Sequence, residues 1–152
     1  MFTPDLEVKP LEDDYCVHFV GWLDNTHPFT TGEVSSEFFK VLQRHIEEAW
    51  QPVLFAGWHD CELCTANPYA SSFLLFIPAG KILYFAPISI DHYITEHQYQ
   101  PPQPFVDAVV ASPQQVTPAY FDAIEPFARR WSLIGSAGLK RYCMRRRVSK
   151  GR

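Results

Sequence analysis

Glycine is scarce, with seven residues in a chain of 152, and each stands alone or in a short isolated group. That excludes a Gly-rich loop wrapped around a phosphate, and Gly135-Ser136-Ala137-Gly138 is too short and isolated to argue a nucleotide site. No G-x-S-x-G nucleophile elbow occurs, nor a carboxylate pair on one helical face, so two common hydrolytic arrangements are missing. Long apolar runs are absent too. The longest, Ser71–Pro78 and Ile82–Ile90, fall far short of the ~20 residues that cross a bilayer. The first residues lack the basic start and apolar run of a signal peptide, so no membrane partner is expected and the cytoplasm is the expected compartment. Acidic residues are missing after Glu125, although all 17 lie at or before it against four basic ones (Lys9, Lys40, Arg44, Lys81). The other nine of the 13 lysines and arginines lie in 129–152.

What is present describes one globular unit. Hydrophobic residues make up 47% and charged residues 20%, which supports a real core and excludes intrinsic disorder. Aromatic residues at 15% and 13 prolines suggest a loop-rich domain with a core built on rings. The expected organisation is a single zinc-supported domain over 1–128 and a basic C-terminal segment over 129–152. Trp131, Leu133, Ile134, Leu139 and Tyr142 would anchor the segment's first half. The charge asymmetry admits weak, non-specific nucleic-acid binding; the competing reading is a segment folded back on the acidic body.

Along the chain, Tyr15–Leu23 reads as a strand after a loop. Phe38, Val41, Leu42, Ile46 and Ala49 recur at helical spacing over Ser36–Trp50, with Ser35 as cap and Pro52 beyond the end. Pro52–Trp58 reads as a strand feeding a tight loop. Ser71–Ile77 and Lys81–Ala86 flank Pro78-Ala79-Gly80 as an antiparallel hairpin. Asp91 can cap a helix through Tyr99, Pro104 suits the first turn of another through Ala111, and Thr117-Pro118 starts a third that Pro126 kinks or restarts. This order predicts an α+β fold: an antiparallel sheet with a central hairpin and packed helices, built around a structural zinc site.

The chemistry gathers in the cysteines and histidines. With no export signal, Cys16, Cys61, Cys64 and Cys143 do not read as a disulfide framework. Cys61-Glu62-Leu63-Cys64 places two thiolates on one tight loop, and His92 and His97 complete a C-x2-C-x27-H-x4-H pattern whose short spacings suit tetrahedral zinc. Residues five apart on a helix diverge by about 140°, so both histidines can ligate only if one lies at the helix boundary. Asp91 as cap would put His92 there. His59 could replace a downstream histidine or orient a ligand. Cys16 and Cys143 read as buried small hydrophobes, and Trp58, Tyr93 and Tyr99 are expected to pack around the metal loop.

Three activities compete with a closed structural site. If only one histidine binds, the open position could hold an activated water with Glu62 or Glu96 as base, the arrangement of a small metal-dependent hydrolase. Gly57-Trp58-His59-Asp60-Cys61-Glu62-Leu63-Cys64 looks like a thioredoxin-type thiol-disulfide redox loop. There, however, the CxxC opens a long helix, whereas Thr65–Pro68 reads as a turn. A zinc deaminase needs an upstream H-x-E motif that this chain lacks. No catalytic residue is therefore assigned.

A wider resemblance covers Tyr15 to Val110. Gly21-Trp22-Leu23-Asp24 with His27-Pro28-Phe29, then Gly57-Trp58-His59-x-Cys61-x-x-Cys64, then His92-Tyr93 with His97, Tyr99, Pro101-Pro102 and Phe105 resemble a family of uncharacterised bacterial proteins. That resemblance implies a shared metal-supported scaffold and no particular substrate. The reading it leaves is a non-catalytic interaction module with an unknown protein partner.

Overall fold

The computed structural model describes residues 2–52, 59–65 and 70–135. Within them the chain forms strands β1 (Glu7–Pro10) and β2 (Cys16–Phe19), helix α1 (Ser36–Glu47), short strands β3 (His59–Asp60) and β4 (Ala70–Ser71), the hairpin β5 (Leu74–Ala79) and β6 (Ile82–Pro87), and helices α2 (Ile90–His97), α3 (Gln103–Ala111) and α4 (Pro118–Ala128). The expected strand over Pro52–Trp58 lies outside the described residues, apart from its first position.

The main sheet has the order β1-β2-β6-β5. It is mixed. β1–β2 and β5–β6 are antiparallel, while β2 and β6 run parallel, with His18 opposite Tyr84. The α+β class and the β5–β6 hairpin match the sequence reading; the parallel pair departs from its antiparallel sheet. An antiparallel neighbour can follow through a short turn, but a parallel one needs a crossover, and α1 lies in the long connection between β2 and the hairpin. β1 is the other departure, because it occupies a stretch read as loop. All four of its residues are exposed, so no buried alternation marks it.

Both faces of the hairpin are covered. Leu75, Ile77, Tyr84 and Ala86 belong to a core shared with α1, α2 and α3, whereas Leu74, Phe76, Leu83 and Phe85 belong to a second core with Tyr120, Phe121, Ile124 and Phe127 of α4. Strands buried on both sides lose the apolar–polar alternation and read as continuous apolar runs. Trp131 and Ile134 are buried in the second core as well; Leu139 and Tyr142 lie outside the described residues.

Local signals explain most elements. Ser35 Oγ accepts from Phe38 N–H at 3.1 Å, Thr117 Oγ1 accepts from Tyr120 N–H at 3.3 Å, and α4 runs through Pro126 without ending there. α1 stops at Glu47, three residues short of the expected Trp50. Gly80, at φ +60°, opens the two-residue hairpin turn; Ala79 and Ile82 already pair across it. Gly21 is required twice over: its φ is +77°, and a Cβ there would meet Ile90 Cδ1 at 3.0 Å.

The outer edge of β5 is closed by side chains. Gln51 accepts from Leu74 N–H at 3.1 Å and donates to Leu74 O at 2.7 Å, much as another strand would. Phe76 O accepts from Tyr120 OH at 2.8 Å and Gln115 Nε2 at 3.2 Å. An edge occupied in this way no longer templates pairing with another chain.

Candidate metal centre

β3 pairs antiparallel with β4, His59 opposite Ser71, and the chain turns immediately after Asp60 into Cys61–Cys64. Cys64 N–H donates to Cys61 O at 3.4 Å, which closes the turn. Burial pushes the Cys61 thiol up, and Cys64 beside it adds to the rise; backbone N–H groups of Leu63 and Cys64 oppose it by hydrogen bonding to the sulfur. Cys61 is only 2% exposed and belongs to the core shared with α1–α3, while Cys64 is half-buried. One side of the site is therefore continuous with the core.

α2 supplies the imidazoles. Sequence reading put His92 at the helix boundary behind an Asp91 cap; instead the helix begins at Ile90, Ser89 holds the cap position, and Asp91 lies inside the first turn with its carboxylate on His92 N–H at 2.7 Å. The boundary residue is His97. It ends the helix, and Gln98 follows in the left-handed region at φ 53°, so no further turn crowds its ring. The two imidazole centroids lie 5.2 Å apart despite the unfavourable helical phase. Burial lowers the His92 pKa and His97 lowers it further, while Glu96 and Asp91 work the other way. Burial raises the Asp91 carboxyl.

Together, Cys61, Cys64, His92 and His97 present one ligand atom each, all within 4.8 Å of one another. His97 Nε2 stands 3.4 Å from Cys61 Sγ and 3.5 Å from Cys64 Sγ, and His92 Nε2 stands 3.3 Å from Cys64 Sγ. A tetrahedral ion with Zn–S near 2.3 Å and Zn–N near 2.05 Å fixes S···N edges of about 3.6 Å. The separations agree to within a few tenths of an ångström. A thiol–imidazole hydrogen bond would pair one nitrogen with one sulfur, whereas His97 Nε2 is nearly equidistant from two, as ligands around a common centre are. The donor set therefore fits a metal ion, and these four side chains are close enough to hold one.

Tyr93, expected beside the metal loop, is 5% exposed; burial raises its phenol and the nearby Cys61, Glu62 and Cys64 add to the effect. Tyr99 departs from the expectation in its polar end: its hydroxyl donates to Asp5 Oδ2 at 2.8 Å and its ring packs edge-on to Phe29. Trp58, Cys143 and the His59 side chain lie outside the described residues. Cys16, read as buried, is half-buried on β2.

Sequence reasoning missed Asp5, whose other oxygen accepts from Gly21 N–H at 3.0 Å, and the buried pair His45–Gln115. Neither carries a motif. Their partners stand 16 to 94 positions away in the chain.

Residues 1–110 match a domain of unknown function, DUF7919. The chain belongs to this family. The DUF7919 region takes in the sheet, α1, α2, all but the last residue of α3 and all four clustered cysteines and histidines, while α4, which completes the second core, follows it. No curated protein and no solved structure matches the chain significantly. Among the described residues, no helix is long and apolar enough to cross a membrane.

Proposed function

We propose that the protein is a small, non-catalytic interaction module whose fold is completed by one structural zinc ion on Cys61, Cys64, His92 and His97. The observation that carries this reading is the near-tetrahedral spacing of two sulfurs and two nitrogens drawn from a loop and a helix. Four protein ligands leave a tetrahedral ion no position for water or substrate, which is the mark of a structural rather than a catalytic site. The metal would tie the turn after β3 to α2 and so hold one wall of the core shared with α1–α3. The proposed setting is the bacterial cytoplasm, with a protein partner; reduced thiols and a zinc-filled CxxC pair suit that compartment.

Structural zinc in small finger peptides supplies on the order of 10 kcal/mol, comparable with the net stability of a whole domain. Metal analysis of the purified chain, thiol titration and a melting curve with and without chelator test the reading. One zinc per chain, Cys61 and Cys64 unreactive until chelator is added, and a large fall in Tm are expected. A metal-free protein whose melting temperature ignores the chelator would refute it, and a reversible Cys61–Cys64 disulfide would favour redox chemistry instead.

A further inference from the structure

A cleft of about 460 Å³ opens where the N-terminal segment, the start of α1 and the start of α3 meet. That volume lies within the range of small-ligand sites, and neither the metal centre nor its ligands line it. Its polar wall carries two carboxylates, two amides and the hydroxyl residues Thr30 and Ser35. Asp5, Glu33, Gln100 and Gln103 all line the cleft, and no lysine, arginine or histidine does. Asp5 is held in place by Gly21 N–H and Tyr99 OH, one on each carboxylate oxygen, leaving further lone pairs on both. Each amide commits one of its two N–H groups elsewhere: Gln100 Nε2 on Glu33 O at 3.0 Å and Gln103 Nε2 on Asp107 Oδ1 at 2.8 Å. Each keeps its carbonyl oxygen as an acceptor to offer.

An anion is the wrong occupant. The Asp5 and Glu33 carboxylates, with no basic side chain beside them, would repel one. Val34, Phe38, Pro101, Pro102 and Val106 give the cleft an apolar wall. Gly32 stands against the Gln100 amide, and a Cβ there would lie 2.8 Å from Gln100 Oε1 and displace it.

From this combination we propose that the cleft binds an organic cation on an aliphatic stem, an alkylammonium or alkylguanidinium group whose N–H donors face the Asp5, Glu33, Gln100 and Gln103 acceptors while its methylenes lie on Val34 and the Pro101-Pro102 wall. The cation comes from a free amine or from a lysine or arginine side chain of a partner; the chemistry of recognition is the same.

The test is an amide-resolved NMR titration of the zinc-loaded full chain with pentylamine, and with pentan-1-ol as the same stem without charge. Pentylamine should give saturable shifts centred on the Gln100 and Gln103 side-chain amides, and pentan-1-ol none or far weaker ones. Glu33→Gln, at an exposed position that leaves the fold alone, should weaken pentylamine binding about three- to fivefold, the scale of one exposed charge pair. Gly32→Ala, whose backbone is not in the left-handed region, should weaken it without changing any charge. A capped Gly-Lys-Gly tripeptide binding at least as well as pentylamine would support a protein source for the cation, and a preference for the free amine a small-molecule source. Equal response to pentan-1-ol, shifts scattered over the acidic surface, or an affinity unchanged in both variants would overturn the proposal.

Discussion

Gln115 ties α1 and the chain just after it to β5 and, through His45, to α3. It is 2% exposed; its Oε1 accepts from Trp50 N–H at 3.1 Å, and its Nε2 donates to Phe76 O at 3.2 Å and lies 3.4 Å from His45 Nδ1. His45 Nε2 in turn lies 3.1 Å from Val109 O. A carbonyl can only accept and the Gln115 amide nitrogen can only donate, so the neutral tautomer with hydrogen on Nε2 is the one that satisfies both contacts. Gln115→Leu keeps the volume and removes the bonds. Phe76 O retains Tyr120 OH, so two groups are orphaned, the His45 Nδ1 lone pair and the Trp50 N–H. An unsatisfied buried group costs about 1–3 kcal/mol. Trp50 is only part-buried and water offsets some of its share, so the expected loss is about 2–4 kcal/mol, or roughly 10 °C in Tm for a chain of this size.

The same network makes stability pH-dependent. Burial lowers the folded His45 pKa and outweighs the Val109 carbonyl, which raises it. The unfolded chain then binds the proton more readily, so the stability contributed by neutral His45 is full above the unfolded value near 6.5 and is lost as pH falls toward the lower folded value, by at most about 1.4 kcal/mol per pH unit. Gln115→Glu puts a carboxylate beside Nδ1, favours protonated His45, and should reduce or reverse that slope between about pH 5 and 7. Denaturant melts of zinc-saturated protein across this range measure both effects. Burial also lowers His18, but its contribution cancels when variant and parent are compared. A Gln115→Leu loss below about 1 kcal/mol, or an unchanged pH slope in Gln115→Glu, would refute the reasoning.

Cys61→Ser and Cys64→Ser should each lose bound zinc and melt at a lower temperature, while Cys16→Ser should keep one zinc per chain by elemental analysis. Tyr99→Phe removes the hydroxyl on Asp5 but leaves Gly21 N–H there, so urea unfolding should show a loss of about 1–2 kcal/mol. Trp131→Ala empties a site packed against Phe85 at 5.3 Å and Phe76 at 6.3 Å, and should cost about 3–5 kcal/mol. Nucleic-acid binding by the full chain, followed by fluorescence anisotropy, should be weak at low salt, vanish near physiological ionic strength, and diminish in a chain ending at Met144.

The legible parts of this protein were those in which a few neighbouring residues suffice. Ser35 followed by helical spacing marks α1, apolar runs around Gly80 mark the hairpin, and C-x2-C with a later histidine pair marks the four side chains that cluster closely enough to hold a metal ion, because caps, turns and ligand spacings act over one or two turns of chain. Even there the helix phase was misassigned: the boundary that lets both imidazoles meet lies at His97, because Gln98 adopts a left-handed conformation that no strong residue preference announces.

Tertiary structure decided the rest. Glu7–Pro10 becomes a strand only because β2 offers it a backbone ladder, and β2 lies parallel to β6 only because the long connection through α1 returns the chain in that sense. Asp5 meets Tyr99 across 94 positions, and His45 meets Gln115 across 70. Spacing and propensity determine what a segment can form. Which of two compatible partners it takes depends on the apolar area and the buried polar groups that the whole fold satisfies at once, and that sum exists only when the chain has closed on itself.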